Sequence, residues 1–182
     1  MRVVAGTAKG RKLVAPSGAS TRPTSDRTRE SLFNSLHSMG AVVDASVLDL
    51  FAGSGALGIE ALSRGARHCT FVEDAAPAVR AIRTNLAAAG FLDDAVVVAD
   101  DVFGYLRGRP AAVDLCLADP PYAFDRWSEV LAAVDTVVLA IESDRPIELP
   151  PGFDDVRTRR YGGTVVTLGW RTDHAEQAQA SR

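Results

Sequence analysis

The turn Asp119-Pro120-Pro121-Tyr122 brings together a carboxylate, two rigid rings and an aromatic side chain. The apolar run before it, Val113 to Ala118, predicts a buried strand, and proline cannot extend the hydrogen-bonded ladder of such a strand. Taken alone, the turn indicates only a strand with a stiff end. A binding pocket becomes an alternative because a glycine-rich loop lies upstream and an acid ends the strand after that loop.

The glycine-rich loop, Gly53-Ser54-Gly55-Ala56-Leu57-Gly58, matches the dinucleotide fingerprint, and Glu73 follows Gly53 by 20 residues. Asp49 stands against a nicotinamide dinucleotide, because its carboxylate would face the pyrophosphate. The same acid suits a ligand that carries positive charge and no phosphate. S-adenosylmethionine, with a sulfonium and an ammonium group, is such a ligand. The residues therefore favour S-adenosylmethionine, with a nicotinamide cofactor and a ligand-free glycine turn as the alternatives.

Two further acids suit the adenosine part of this cofactor. Glu73 can accept hydrogen bonds from both ribose hydroxyls, while the glycines let the backbone approach closely. After the third predicted strand, Asp101 offers a carboxylate to the adenine amine and Val102 lies beside a backbone N–H for a ring nitrogen. The predicted cofactor-binding residues are Asp49, Phe51, Gly53, Ser54, Gly55, Gly58, Glu73, Asp101, Val102 and Asp119.

Strand-like and helix-like patterns alternate after Ser46 and must position these residues. The predicted strands are Val47–Phe51, His68–Glu73, Ala95–Ala99, Val113–Ala118 and Val137–Glu142. The predicted helices are Ala56–Arg64, Pro77–Ala89, Asp101–Leu106 and Asp125–Ala133. This alternation predicts a doubly wound, mostly parallel α/β sheet with a site outside the carboxyl ends of its strands. Val156–Arg160 and Thr164–Arg171 predict a closing antiparallel hairpin.

The N-terminal part has a different pattern. Arg2–Ala5 and Arg11–Ala15 predict a small hairpin with a basic tip, and Pro16–Pro23 predicts a linker. A helix is predicted over Asp26–His37. The chain therefore divides into a hairpin and linker extension (1–23), a main domain (24–171) and a polar tail (172–182) that we expect to be disordered.

The composition is that of one globular domain, with 182 residues, 47% of them apolar and 24% charged. No apolar run is long enough for a membrane span, and no signal peptide is visible, so we expect a cytoplasmic protein. Cys69 and Cys116 each lie in an apolar run and are predicted to be buried. The three histidines are isolated in sequence and suggest no metal site.

Positive charge is concentrated at the N-terminus. Residues 1–30 carry seven Lys or Arg against two acids, whereas the remainder carries 13 against 21. A basic end on an acidic body suggests a polyanionic partner, although a solvated tail is the alternative. Lys9, Arg11 and Lys12 are the candidates for phosphate contacts.

Two sets of residues resemble known enzymes. Asp49-Leu-Phe-Ala-Gly-Ser-Gly-Ala-Leu-Gly58, together with the turn at 119–122, is similar to class I methyltransferases that modify exocyclic amines. Arg22-Pro-Thr-Ser-Asp-Arg-Thr-Arg-Glu-Ser-Leu-Phe-Asn34, with Gly10-Arg-Lys-Leu13 and Glu60-Ala-Leu-Ser-Arg64, resembles the RsmD family. The members of this family are bacterial guanine-N2 methyltransferases of small-subunit ribosomal RNA. The resemblance covers about residues 2–171.

The resemblance implies a Rossmann-like class I methyltransferase that uses S-adenosylmethionine. Its substrate would be a guanine N2 amine in 16S ribosomal RNA, within an assembling 30S particle. We expect a monomer that needs neither a metal nor a membrane. The resemblance also brings the segment around Arg27 near the RNA entrance, although an intrahelical ion pair with Glu30 is an alternative for its arginines. The predicted RNA-binding residues are Lys9, Arg11, Lys12, Arg22, Arg27 and Arg29.

The turn at 119–122 would then be catalytic, with roles for Asp119, Pro120, Pro121 and Tyr122. The lone pair of a guanine N2 amine is delocalised into the ring, so acceptors that bond its hydrogens favour the geometry needed for attack. The Asp119 carboxylate and the Pro120 carbonyl are such acceptors, and Tyr122 would stack on the flipped base. Proton loss can follow methyl transfer, so a strong general base is not required.

Other functions remain open on sequence grounds. A DNA adenine-N6 methyltransferase can carry the same turn, but such enzymes usually need an added target-recognition region. A small-molecule or protein amine methyltransferase would not need the basic N-terminus. A non-catalytic RNA-binding module would not need both an intact turn and an intact glycine loop. A nicotinamide oxidoreductase is the remaining alternative.

Overall fold

The computed structural model describes residues 1–17, 26–121, 123–154 and 156–171 of the 182-residue chain. The helices are α1 (Asp26–Ser38), α2 (Ala56–Ser63), α3 (Ala76–Ala89), α4 (Val102–Arg107) and α5 (Trp127–Ala133). The strands are β1 (Ser46–Leu50), β2 (His68–Val72), β3 (Ala95–Val98), β4 (Val113–Ala118), β5 (Thr136–Ser143), β6 (Arg157–Tyr161) and β7 (Thr164–Trp170). Every helix and strand predicted after residue 25 is confirmed, with ends that differ by at most two residues.

The seven strands form one sheet in the order β3-β2-β1-β4-β5-β7-β6. Strands β1 to β5 are parallel to one another, and β7 runs antiparallel to both β5 and β6. This confirms the predicted doubly wound sheet that ends in an antiparallel hairpin. The chain order reverses between β1 and β4, and such a reversal opens a crevice outside the carboxyl ends of the two strands.

Side chains alternate between two hydrophobic layers along each strand. Val47 and Leu117 lie in the cluster that also holds residues of α1, α2 and α3. Leu48 and Cys116 lie in the cluster on the other face, with residues of α4 and α5. The alternation puts Asp49 on the same face as Val47, under α2. An acid is thus directed into a mostly apolar layer.

The N-terminal extension is packed against the main domain. Val3, Ala8 and Leu13 are buried in the same cluster as α1 and α2. Arg2 and Lys12 form an isolated antiparallel bridge, so the predicted hairpin is present but shorter than expected. After Val3 the chain contacts α2, where the Val4 N–H donates to the carboxylate of Glu60 (2.8 Å). Ala5 N–H does the same at 3.0 Å.

The remaining predictions concern the cysteines, the domain boundaries and membrane-spanning helices. Cys69 and Cys116 are buried and unbonded, as predicted. The boundary at 23/24, most of the predicted linker and the tail at 172–182 lie outside the described residues. Among the residues that the structure does describe, no helix is long and apolar enough to cross a membrane.

Candidate active site

The loop between β1 and α2 has an unusual backbone. Phe51, Gly53 and Gly55 have φ values of 59°, 57° and 76°. Phe51 is strained in this region, because a side chain with a Cβ rarely adopts it. A Cβ added at Gly53 would meet only the Phe51 carbonyl oxygen, at 3.9 Å, so this side of the loop is open to a ligand. The loop therefore offers bare backbone at the carboxyl end of β1.

Gly58 has a packing function beside its predicted cofactor contact. A Cβ added there would lie 2.3 Å from the ring of Phe71 and 2.6 Å from the Cys69 sulfur. Its missing side chain thus lets α2 pack closely on β2. Its N–H donates to Asp49 Oδ2 at 2.9 Å, so Gly58 orients a predicted cofactor-binding acid.

Asp49 is a buried carboxyl group, with 1% of its surface exposed. Burial raises its pKa well above the usual value, the Gly58 hydrogen bond opposes this shift, and the nearby charges of Asp119 and Glu73 add to it. A cation placed beside Asp49 would relieve this penalty on ionisation. The site is therefore suited to a positively charged ligand.

Sheet register explains why the three acids converge. Asp49 pairs with Leu117 of β4 on one side and with Phe71 of β2 on the other. Asp119 and Glu73 each follow these partners by two residues, at the carboxyl ends of the neighbouring strands. The three acids therefore lie at one edge of the sheet, as their positions at strand ends predicted.

Glu73 fixes the glycine loop from the end of β2. Its Oε2 accepts a hydrogen bond from Gly53 N–H at 2.8 Å, and its Oε1 accepts one from Ala75 N–H at 2.9 Å. A carboxylate oxygen can accept a second hydrogen bond, so Glu73 can still reach ligand hydroxyls.

Asp101 has a structural function beside the predicted ligand role. It is the N-cap of α4, and its Oδ1 accepts hydrogen bonds from Phe103 N–H (2.9 Å) and Gly104 N–H (3.0 Å). Val102 packs its side chain into the second hydrophobic cluster, so only its backbone is suited to contact an adenine ring.

The turn after β4 lies beside the glycine loop, because Ala118 pairs with Leu50 of β1. Asp119 is partly buried, Pro120 is buried and Pro121 is exposed. The Pro121 carbonyl accepts a hydrogen bond from Phe124 N–H at 2.8 Å, which closes the turn and delays the start of α5 to Trp127. Tyr122 lies outside the described residues.

An aromatic cluster of Phe51, Phe103, Phe124 and Trp127 supports this edge, and sequence reasoning missed it. The Phe124 ring centroid lies 5.0 Å from those of Phe51 and Trp127 and 6.2 Å from that of Phe103. The Arg126 guanidinium lies 3.5 Å from the Phe103 ring centroid. The available signal was spacing: Phe103 follows Asp101 by two residues, and Phe124 follows Tyr122 by two. The cluster joins the glycine loop, α4 and the turn after β4.

The basic residues predicted to bind RNA divide into two groups. Lys9, Arg11, Lys12 and Arg27 are exposed, as a phosphate contact requires. The prediction for Arg29 is wrong, because its side chain is 0% exposed and pairs with Asp26 (2.9 Å) and Glu60 (3.6 Å). The intrahelical pair thus involves Asp26 rather than the expected Glu30. Arg22 lies outside the described residues.

Asn85 of α3 connects the N-terminal extension to the glycine loop. Its side-chain amide donates to the carbonyl oxygens of Val14 (3.0 Å) and Ser54 (2.8 Å). Its Oδ1 accepts from Val14 N–H at 2.8 Å. The loop conformation therefore depends on residues far away in sequence.

In the described parts of the chain, no group of three or more His, Cys, Asp or Glu side chains is placed to hold a metal ion. This edge of the sheet thus gathers acids, bare backbone and aromatic rings.

The sequence comparisons agree with this geometry. The sequence model of the family described as "Conserved hypothetical protein 95" matches residues 1–170. Ribosomal RNA small subunit methyltransferase D of Escherichia coli strain K12 is 41% identical over 177 residues, which cover 91% of this chain and 87% of that protein. YlbH of Bacillus subtilis strain 168, named as a candidate rRNA methyltransferase, is 39% identical over 182 residues, with 92% and 97% covered.

A solved structure gives the same answer for the fold. The Escherichia coli protein yhhF, described as a candidate methyltransferase, superimposes with a TM-score of 0.82 at 32% identity. The superposition covers 94% of this chain and 97% of that one. The architecture is thus that of a class I methyltransferase, and methyltransferase activity is supported.

Proposed function

The chain belongs to the RsmD family, whose sequence model matches residues 1–170, and we propose that it catalyses the reaction of that family. It transfers a methyl group from S-adenosylmethionine to the exocyclic N2 amine of a guanine in 16S ribosomal RNA. The substrate is an assembling 30S particle in the cytoplasm. This assignment extends to the present chain what the names of its relatives say about ribosomal RNA.

One observation carries the proposal: the carboxyl groups of Asp49, Glu73 and Asp119 meet around an open glycine loop. Burial raises the pKa of Asp49, and the nearby charges of Asp119 and Glu73 raise it further. A pyrophosphate would add negative charge to this cluster, whereas an ammonium or sulfonium group would offset it. The acids therefore favour a cationic methyl donor over a nicotinamide dinucleotide.

Each part of S-adenosylmethionine has a suitable group in this chain. Asp49 would hold the positively charged amino acid part, beside the open backbone at Gly53 and Ser54. Glu73 would accept hydrogen bonds from the ribose hydroxyls. Asp101 and the backbone at Val102 would lie at the adenine edge. When bound, the cofactor supplies an electrophilic methyl group on sulfur.

The turn after β4 would hold the nucleophile. The Asp119 carboxylate and Pro120 carbonyl would accept the two hydrogens of the guanine amine and direct its lone pair toward the methyl group. Tyr122 would stack on the base. Positioning of two bound reactants can supply up to about 7–11 kcal/mol of the barrier reduction. Asp119 acts as an acceptor in this scheme, and the proton leaves after transfer.

The decisive experiment uses 30S particles from cells that lack the gene. The purified protein and radiolabelled S-adenosylmethionine should place label in 16S RNA, and nucleoside mass analysis should identify it as N2-methylguanosine. Label found in N6-methyladenosine would instead support the adenine-specific alternative. Absence of label in both the particle and free 16S RNA would contradict the proposal.

A further inference from the structure

A polar groove lies between α1 and the edge strand β6, away from the glycine loop. Arg27, Glu30, Ser31 and Asn34 of α1 line one side of it, and Arg159 of β6 lines the other. These helix residues recur at intervals of three or four, so they share one face of α1. We name this feature the α1–β6 groove.

The sheet register determines which β6 side chains face this groove. Arg159 pairs with Val166 of β7, which is packed in the same hydrophobic cluster as α1. Cα partners in neighbouring strands present side chains to the same face, so Arg159 points toward α1. Arg160 follows it in sequence and therefore points to the opposite face. Both arginines are exposed.

Strand β6 ends at the edge of the sheet where the turn after β4 lies. Ser143, at the carboxyl end of β5, pairs with Val165, and Thr164 pairs with Tyr161. The β6–β7 turn therefore lies at the same edge as the turn after β4. Three interstrand spacings separate β4 from β6, which is about 14 Å. A hydrogen bond of 2.6 Å between the hydroxyls of Ser31 and Tyr161 joins the two walls at this end.

Cations continue from this groove toward the N-terminal extension. A second groove is lined by Arg2, Lys9 and Asp26 and shares Arg27 and Glu30 with the first. Asp26 is already paired with the buried Arg29 at 2.9 Å. Glu30 lines both grooves and is thus the acid whose charge would repel a bound anion. The two grooves form one surface track with Lys9 near one end and Arg159 near the other.

We propose that the α1–β6 groove binds the phosphate backbone of the substrate RNA beside the flipped base. This inference rests on the proposed function and adds Arg159, together with the polar face of α1, to the RNA-binding surface. Arginine suits phosphate because its planar group donates several hydrogen bonds. The serine and asparagine side chains opposite it are further donors of the kind that contact phosphates.

Charged residues on an edge strand can also serve only to prevent sheet-to-sheet association. That function would use Arg159 and Arg160 equally, since both are exposed on the same edge strand. The proposed RNA-binding role distinguishes the two arginines, because Arg159 lines the groove and Arg160 does not. The adjacent pair therefore provides a matched comparison within one strand.

The test compares Arg159→Gln with Arg160→Gln in the full-length protein. Single-turnover methylation of 30S particles at saturating S-adenosylmethionine separates particle binding from the chemical rate. Arg159→Gln should raise the half-saturating particle concentration about fivefold at 0.1 M salt, the effect of one lost phosphate contact. Its maximal rate should be unchanged, and Arg160→Gln should behave as wild type. On free 16S RNA, Arg159→Gln should flatten the slope of log affinity against log salt by about 0.7.

The outcomes separate this inference from the proposed function. If wild type methylates the particle but Arg159→Gln binds as tightly as wild type, the groove does not bind the RNA. Equal weakening by both variants would indicate diffuse charge and overturn the inference. An Arg159 effect on the particle but not on free RNA would indicate a protein contact and would also overturn it. If wild type methylates no RNA, the proposed function itself fails.

Discussion

The side-chain amide of Asn85 donates a 2.8 Å hydrogen bond to the carbonyl oxygen of Ser54, inside the glycine loop. The same amide bonds both backbone groups of Val14. One buried side chain thus holds the N-terminal extension and the predicted cofactor loop together. Cofactor binding should therefore depend on Asn85 through its hold on the loop backbone.

Asn85→Ala should lose stability and cofactor affinity together. Three hydrogen bonds to buried or partly buried backbone groups are removed, so we expect unfolding free energy to fall by about 2–4 kcal/mol. Urea denaturation and calorimetric titration with S-adenosylmethionine would measure both effects. Thr84→Ala, one exposed position away, is the control. Wild-type cofactor affinity in Asn85→Ala would contradict the proposed link to the loop.

Asp49→Asn should weaken cofactor binding while keeping the Gly58 hydrogen bond, because an amide oxygen still accepts it. Loss of a charged hydrogen-bond partner corresponds to about 1.5–3 kcal/mol, or about 10- to 150-fold in affinity. Calorimetry at neutral pH would measure the change. Affinity equal to that of wild type would remove Asp49 from the site.

The same residue should make the cofactor-free protein less stable as pH rises. Because the pKa of Asp49 is raised in the folded state, the folded chain binds more protons than the unfolded chain, and stability falls with increasing pH. This fall begins near the ordinary carboxyl value of 3.8 and continues up to the raised pKa. Asp49→Asn should lack that contribution. The melting temperatures of the two proteins should approach each other as pH falls toward 3.8 and separate as pH rises.

Asp119→Ala should abolish turnover and leave S-adenosylmethionine affinity within a few fold, because Asp119 is proposed to hold the target amine. Asp119→Asn retains an acceptor and should recover part of the activity. Radiolabelled methyl transfer to 30S particles would measure turnover. Full activity of the alanine variant would exclude the catalytic role.

Phe124 should position the catalytic turn through the aromatic cluster. Phe124→Ala removes its contacts with Phe51, Phe103 and Trp127, and even a shift of about 1 Å in a site can cost on the order of a hundredfold in rate. We expect the turnover number to fall much more than the cofactor affinity. Phe124→Leu, which restores most of the volume, should recover much of the rate. A loss confined to cofactor affinity would argue against positioning.

Arg29→Met should destabilise the protein without changing RNA binding. Removing one partner of a buried ion pair typically costs about 3–5 kcal/mol, and Arg29 is completely buried beside Glu60. Arg27→Gln, at an exposed position on the same helix, should weaken RNA binding without lowering stability. Urea denaturation and the salt dependence of RNA affinity would distinguish the two variants. A flattened salt slope for Arg29→Met would restore its RNA-binding role.

Short-range patterns were sufficient to predict most of the architecture. The buried run Val113–Ala118 and its neighbours have the apolar composition of parallel strands, and glycines mark several helix ends. Right-handed crossovers then favour helices on both faces of such a sheet. The convergence of Asp49, Glu73 and Asp119 was predictable for the same reason, since each lies at or near the carboxyl end of a strand.

Contacts between distant segments could be found only in the tertiary structure. Arg29 resembles an exposed helix arginine in sequence, but its partner Glu60 lies 31 residues away. Where the first hairpin strand ends, the Val4 and Ala5 N–H groups donate hydrogen bonds to the Glu60 carboxylate. Neither fact has a local signal, because each depends on how α1 and the extension pack on α2.

The sequence by itself thus determined the fold class, the acidic cofactor edge and the family, because these depend on local periodicity and on motifs within single loops. The tertiary structure alone decided which charges are buried and which face solvent. It buried Arg29, exposed Arg159 beside α1 and brought Phe124 into the aromatic cluster. Burial is set by packing between distant elements, and packing controls both the desolvation of a charge and its access to RNA.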